Sequence, residues 1–132
     1  MSVAPRTHRP PRPRKILAID DSKTVLASLR RALEQAGFAV QTACDPAEIS
    51  ALDAQSAAAV VVDVQMEHVF GDDVVSFLRD VWNVSAPIYL FSSLPIQDLN
   101  QRARSAGANG AVCKSEGVEA LLAQLNRALQ AP

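Results

Sequence analysis

The chain has 132 residues, enough for one domain with a buried core. Apolar residues make up 48% and charged residues 20%. No run approaches the about 18 consecutive apolar residues of a membrane-spanning helix, so the sequence excludes a membrane span. Aromatic residues are only 5%, too few for a stacking platform on single-stranded nucleic acid. The two cysteines, Cys44 and Cys113, cannot form a disulfide scaffold or a zinc site, and we interpret them as small buried residues of a cytoplasmic protein.

Charge is unevenly distributed along the chain, whose net charge is −1. Residues 1–15 contain five basic residues and no acidic one, whereas the rest carries the other eight of the 13 basic residues against all 14 acidic residues. Half of the eight prolines also lie in this leader. We therefore predict a disordered, basic, proline-rich arm over residues 1–14 and one folded domain over residues 15–132. The acidic domain is not typical of DNA-binding proteins, and the leader lacks the apolar run of a secretory signal.

After the leader, apolar runs and helical periodicities alternate five times. The predicted strands cover residues 16–19, 38–43, 57–62, 87–91 and 111–113. The predicted helices begin after the N-cap Ser22 and at Asp45, Asp72, Gln97 and Val118, and they end near Gly37, Leu52, Trp82, Ala106 and Leu129. Strict alternation predicts an α/β fold in which helices cover both faces of a five-stranded parallel sheet. Such a fold is doubly wound, and its ligands bind at the carboxyl ends of the strands.

Polar residues that can carry chemistry follow the predicted strands. Asp20 and Asp21 follow the first strand and Asp63 the third, while Ser92 follows the fourth and Lys114 the fifth. In a doubly wound fold these strand ends meet at one edge of the sheet, where ligands bind. Three carboxylates brought together repel one another, so we predict bound Mg²⁺, which prefers oxygen ligands and keeps several waters. A metal ion, an ammonium and a hydroxyl at one site suit phosphoryl transfer.

Four segments at these strand ends resemble the receiver domain of two-component response regulators, of the chemotaxis type. The segments are Ile19–Ser22 with its acidic pair, Val62–Met66 with Gly71 eight residues after Asp63, Phe91–Ser93, and Gly107–Lys114. The resemblance extends over residues 14–130 and implies a flavodoxin-like (β/α)5 fold with strand order 2-1-3-4-5. Each segment alone is weakly specific, but four in this order on an α/β scaffold are strongly specific.

The resemblance implies a role for each of these residues. Asp63 would accept a phosphoryl group from a histidine kinase or a phosphotransfer protein. The implied ligands of Mg²⁺ are the carboxylates of Asp21 and Asp63, the backbone carbonyl of Gln65 and, through water, Asp20. Ser92 would bind a phosphoryl oxygen, and Lys114 would pair with Asp63 or its phosphate. Such a domain is not an enzyme beyond self-phosphorylation and slow autodephosphorylation, and it signals by contact with a downstream protein partner.

The sequence departs from the family pattern at three positions. Prolines common in the family are replaced by Glu67 in the metal-binding loop and by Ser115 after the lysine. The second replacement leaves open whether the Lys114–Ser115 bond is cis, which without proline costs roughly 3–4 kcal/mol. Ala111 occupies the position of the family's aromatic switch residue. We therefore expect weak coupling between Ser92 and the surface that partners recognise.

Rival functions require other residues at these positions. A flavodoxin-type cofactor domain would place hydroxyls and backbone amides after the first strand to bind a phosphate, which Asp20 and Asp21 would repel. A phosphatase of the haloacid dehalogenase type needs a second acid two residues after its nucleophile, where this chain has Gln65 or Ser22. A dinucleotide-binding domain would show a glycine fingerprint that is absent. The open alternative is a receiver-like interaction module that phosphorylation does not control. Because few residues follow the last predicted helix, we expect no DNA-binding domain in this chain, which would then act by docking or in a phosphorelay, or be part of a larger protein.

Overall fold

A computed structural model describes residues 13–130 of the chain. Its strands and helices, in chain order, are β1 (Lys15–Ile19), α1 (Lys23–Gln35), β2 (Ala39–Ala43), α2 (Ala51–Ser56), β3 (Ala59–Val62), α3 (Gly71–Asp80), β4 (Ile88–Ser92), α4 (Ile96–Ala106), β5 (Gly110–Cys113) and α5 (Val118–Gln130). Most of the predicted basic arm, residues 1–12, lies outside the described residues.

The sheet has the predicted architecture. All its strand pairs are parallel, and the strand order is β2-β1-β3-β4-β5. The third strand is buried along its whole length, in agreement with its uninterrupted apolar sequence. The α/β, flavodoxin-like fold with order 2-1-3-4-5 is therefore confirmed.

Alternation along the strands divides the core into two layers. Ile16 and Ala18 of β1 pack on one face of the sheet with α1 and α5, whereas Leu17 and Ile19 pack on the other with α2, α3 and α4. Successive side chains of a strand point to opposite faces, so each face needs its own layer of helices. This double covering leaves the carboxyl-terminal edge of the strands open as a crevice.

The first helix has the predicted caps. The Ser22 hydroxyl accepts a hydrogen bond from the Val25 backbone N–H at 3.2 Å. Gly37, directly after the C-cap residue, has a φ of 97°, a left-handed conformation that glycine adopts without a steric penalty. The predicted N-cap at Ser22 and the predicted end of α1 near Gly37 are therefore both confirmed.

The predicted second helix, from Asp45 to Leu52, is wrong. Asp45 caps only a short 3₁₀ turn, and the chain then extends at Ile49, whose side chain is buried in the core. The helix proper begins after Ser50, which exchanges hydrogen bonds with Asp53 in a capping box. Burial of Ile49 interrupts the helix that the Asp45–Pro46 signal indicates.

A partly buried arginine links α3 to the neighbouring loops. The Arg79 guanidinium donates hydrogen bonds to the backbone carbonyls of Val84 at 2.6 Å, Ala86 at 2.8 Å and Gly107 at 2.9 Å. It also donates to Asn109 Oδ1 at 2.7 Å. Burial lowers the pKa of Arg79 from its ordinary value. The side chain thus satisfies carbonyls that no strand partner reaches.

Candidate phosphoacceptor site

The structure brings all the predicted strand-end residues to one edge of the sheet. Asp20 follows β1, Asp63 follows β3, Ser92 is the last residue of β4 and Lys114 follows β5. Parallel neighbours in the order β1-β3-β4-β5 place these four residues side by side. Residues far apart in the sequence therefore form one site.

Three carboxylates form a cluster within this site. One oxygen each of Asp20, Asp21 and Asp63 lies within 4.8 Å of the other two. The side chains of Asp20 and Asp63 are buried, with residue exposures of 3% and 4%, whereas Asp21 is exposed. Two carboxylates of the cluster are therefore buried, and the third, that of Asp21, lies on the solvent-exposed side.

Backbone amides hold each carboxylate in place. The N–H of Ser22 donates to Asp20 Oδ1 at 2.9 Å, and the N–H of Gln65 donates to Asp63 Oδ1 at 3.3 Å. The N–H of Glu67 donates to Asp21 Oδ2 at 3.0 Å. Sequence reasoning missed this last contact because a backbone amide has no side-chain signature. The proline common at this position could not make it, since proline has no N–H.

Lys114 is the cation of the site. Its Nζ lies 2.8 Å from Asp20 Oδ2 and 3.5 Å from Asp63 Oδ2, so it contacts both buried carboxylates. No peptide bond among residues 13–130 is cis. The Lys114–Ser115 bond is therefore trans, and Lys114 opens a short 3₁₀ turn that ends at Gly117.

The surroundings of Asp63 disfavour the charged form of its carboxyl. Burial raises the pKa of its carboxyl above the ordinary value, the neighbouring Asp20 charge raises it further, and Lys114 partly offsets both effects. A buried carboxylate beside another favours protonation or an approaching cation. The site is therefore suited to binding positive charge next to Asp63.

Ser92 has an unpaired hydroxyl. Ser92 is fully buried, and its Oγ makes no hydrogen bond of good geometry among the residues that the structure describes, although the hydroxyl lies close enough to Asp63 to lower the pKa of that carboxyl. A buried hydroxyl without a partner costs free energy, about 1–3 kcal/mol by mutational data. The hydroxyl is thus available to an oxyanion at the site.

The neighbouring aromatic residues pack into the core. Tyr89 and Phe91 are buried on the face of the sheet covered by α1 and α5. Ala111 lies on the opposite face, where it packs against the other core layer. The position expected to carry an aromatic switch therefore offers only a methyl group next to the strand that bears Ser92.

A glycine fixes the loop after Asp63. A Cβ at Gly71 would lie only 2.0 Å from the backbone oxygen of Asp63, and the Gly71 N–H donates to the Val64 carbonyl at 2.9 Å. The first residue of α3 is thus packed directly on the backbone of the candidate nucleophile. His68, in the same loop, is exposed.

The residues present fit a hard divalent cation. Asp20, Asp21 and Asp63 supply closely spaced carboxylate oxygens, which is the donor type that Mg²⁺ takes. The side chain of Gln65 is exposed. The ligand expected from this residue is its backbone carbonyl. The buried acidic pocket can therefore bind a metal ion.

Comparison with known proteins assigns the family. The sequence model of the response regulator receiver domain matches residues 16–126, and the chain belongs to this family. The transcriptional regulatory protein PrrA of Mycobacterium tuberculosis is 32% identical over 117 residues, which are 88% of this chain and 50% of PrrA. The response regulator MprA of Mycobacterium sp. strain KMS is 33% identical over 119 residues, 89% of this chain and 51% of MprA.

Solved structures agree with this assignment. The chemotaxis protein CheY4 of Vibrio cholerae matches with a TM-score of 0.78 and 29% identity over 89% of this chain and 99% of CheY4. The receiver domain of the Francisella response regulator 1452 matches with a TM-score of 0.79 and 20% identity, over 89% of this chain and 97% of that domain, which supports the fold alone. The protein is therefore a receiver domain of a two-component response regulator, a signalling module.

The expectation that excluded a DNA-binding domain is wrong for the proteins that this chain resembles. The chain spans about half the length of the curated relatives, and some of these are named transcriptional regulators. A receiver can be joined to an output domain through an exposed connection, so the composition of the receiver alone cannot exclude that domain.

Among residues 13–130, none of the helices combines the length and the apolar character that crossing a bilayer requires.

Proposed function

We propose that Asp63 is the phosphoacceptor of this receiver and takes its phosphoryl group from a histidine kinase or phosphotransfer protein. The observation that carries the proposal is the placement of a buried Asp63 among Asp20, Asp21 and Lys114, beside the unpaired Ser92 hydroxyl. In the transfer, an Asp63 carboxylate oxygen attacks phosphorus, a P–O bond forms and the P–N bond to the donor histidine breaks. The imidazole nitrogen keeps the electron pair.

We assign the metal to Mg²⁺, held by Asp21, Asp63 and the Gln65 carbonyl, with Asp20 acting through water. When bound, Mg²⁺ supplies positive charge that lowers the repulsion between a carboxylate nucleophile and an anionic phosphoryl group. The chain's own groups do the rest: Lys114 neutralises the buried acids, and Gln65 N–H orients Asp63. The Ser92 hydroxyl donates to a phosphoryl oxygen.

The output follows from the same geometry. Phosphorylation can shift the conformation only through contacts that differ between the two states, and Ser92 provides one. Because Ala111 has no ring to fill space that Ser92 vacates, we propose a small conformational change on phosphorylation, with partners recognising a largely preformed surface of 97–106 and 118–129.

We also take the domain to span 15–132. The chemotaxis-type subclass and a cytoplasmic location stay predictions.

The alternative function is a receiver-like interaction module that phosphorylation does not control. Ala111 favours it, because the usual aromatic relay is missing. Backbone amide NMR with and without beryllofluoride, a phosphoryl mimic, separates the two. Chemical-shift changes around Asp63, Ser92 and Lys114 support a phosphate-controlled receiver, whereas an unchanged spectrum at saturating mimic supports the alternative.

The phosphoacceptor proposal is tested with acetyl phosphate as donor. Intact-protein mass should rise by about 80 Da, the mass of one phosphoryl group, in Mg²⁺ but not in EDTA. Asp21→Ala should abolish the rise, while Asp45→Ala, which removes an exposed acid after β2, should leave it unchanged. Equal adduct formation in EDTA contradicts the metal assignment.

A further inference from the structure

An apolar patch lies exposed near the end of α3 that is remote from Asp63. Leu52 is 72% exposed, Phe77 43% and Val81 58%, and Trp82 is partly buried. The Phe77 and Trp82 rings meet edge to face with centroids 4.8 Å apart. We call Leu52, Phe77, Val81 and Trp82 the α2–α3 patch.

One hydrogen bond joins the two helices that carry this patch. Gln55 Nε2 on α2 donates to the backbone carbonyl of Trp82 at 2.9 Å. Leu52 lies one turn before Gln55 on the same side of α2, and Phe77 and Val81 are four residues apart on α3. Gln55 and Trp82 are thus in direct contact, so the two segments that carry the exposed apolar residues meet at this point.

The charges bordering the patch on α3 are acidic. Asp73 and Asp80 lie four residues before and three residues after Phe77, and both are exposed. Neither forms a salt bridge within residues 13–130. The cation on α3, Arg79, donates to backbone carbonyls, and Lys15, which contacts the end of α2, donates to Gln41 and Ser56. Asp80 is also the last residue of α3, where the helix dipole disfavours a negative charge. Its carboxylate therefore does not stabilise its own helix.

We propose that the α2–α3 patch docks a cationic amphipathic helix of a partner protein. Apolar side chains that share a helix face with carboxylates complement a partner helix whose apolar residues are flanked by lysine or arginine. The surface differs from the α4 and α5 surface assigned to output above. It involves α3, whose first residue is packed on the Asp63 backbone.

The probe is a short, fluorescein-labelled peptide of leucine and lysine patterned as an amphipathic helix, added to the full chain. Fluorescence anisotropy measures its affinity. The emission of Trp82, the single tryptophan of the chain, reports whether it binds at the patch. We expect saturable binding with a change in Trp82 emission, and weaker binding as salt is added.

Charge-matched double variants separate the patch from general attraction to an acidic protein. Asp73→Asn with Asp80→Asn should weaken peptide binding roughly three- to tenfold, as two exposed ion pairs would. Glu34→Gln with Asp45→Asn removes the same charge from exposed sites near the end of α1 and after β2 and should change it little. Phe77→Ala should weaken binding further, with the fold checked by circular dichroism.

Three results overturn the proposal. The first is equal weakening of peptide binding by the two double variants. The second is a leucine–glutamate peptide of the same pattern that binds as tightly as the leucine–lysine peptide. The third is a change in Trp82 emission on dilution without peptide, which would assign the patch to a second copy of this chain.

Discussion

Lys114 Nζ lies nearer to Asp20 than to Asp63, at 2.8 Å against 3.5 Å. Burial raises the pKa of Asp63 and the Asp20 charge raises it further, so the lysine pairs with the acid responsible for the second effect while engaging Asp63 itself less closely. An ammonium held firmly on Asp63 would compete with an incoming phosphorus atom. The observed pairing leaves Asp63 Oδ2 less closely engaged by the ammonium than Asp20 Oδ2.

The raised pKa of Asp63 predicts that its ionisation destabilises the fold. Between the ordinary pKa of an aspartate and the raised folded value, the native state binds more protons, so stability falls as pH rises. Asp63→Asn should therefore be more stable than wild type at pH 7 without metal, by about 1 kcal/mol. Urea unfolding should show the difference shrinking as the pH falls through the raised pKa. A constant difference across pH contradicts this origin.

Removing the cation should expose the repulsion among the carboxylates. Lys114→Met leaves Asp20 and Asp63 without their ammonium and should lower the free energy of unfolding by about 1.5–3 kcal/mol in EDTA. Mg²⁺ should raise the melting temperature of this variant more than that of wild type. Lys23→Met, an equal charge change at an exposed position, is the control and should show neither effect.

Close packing at Gly71 predicts a large effect from a single methyl group. Gly71→Ala places its Cβ against the Asp63 backbone oxygen, which must move, at a cost of about 1–3 kcal/mol. The displacement should also slow phosphorylation. Gly37→Ala meets open space and pays only for its positive φ, about 1 kcal/mol. Denaturation and acetyl phosphate labelling of both variants test this. Unaltered labelling of Gly71→Ala contradicts the positioning role.

The sequence was sufficient for the sheet and the strand-end residues because both depend on local, periodic signals. Apolar runs ending in Asp20, Asp63, Ser92 and Lys114 locate the site once parallel topology brings strand ends together. The second helix was misplaced because burial of Ile49, a tertiary effect, overrides a local capping signal.

Other features could not be predicted because they depend on non-local contacts of the backbone. The Glu67 N–H contact with Asp21 and the approach of Gly71 to Asp63 leave no pattern of residue types. The preference of Lys114 for Asp20 is a matter of tenths of an ångström in the folded state. The amino-acid composition of this chain also gives no information about further domains in its longer relatives.

The most direct test of the account locates the phosphoryl group. After labelling with acetyl phosphate and Mg²⁺, borohydride reduction converts a phosphorylated aspartate to homoserine, which peptide mass spectrometry identifies. The account predicts homoserine at position 63 in the wild-type chain and none in Asp63→Asn, which conserves side-chain volume. Homoserine at position 20 or 21 instead, or continued labelling of Asp63→Asn, would contradict the assignment of Asp63 as phosphoacceptor.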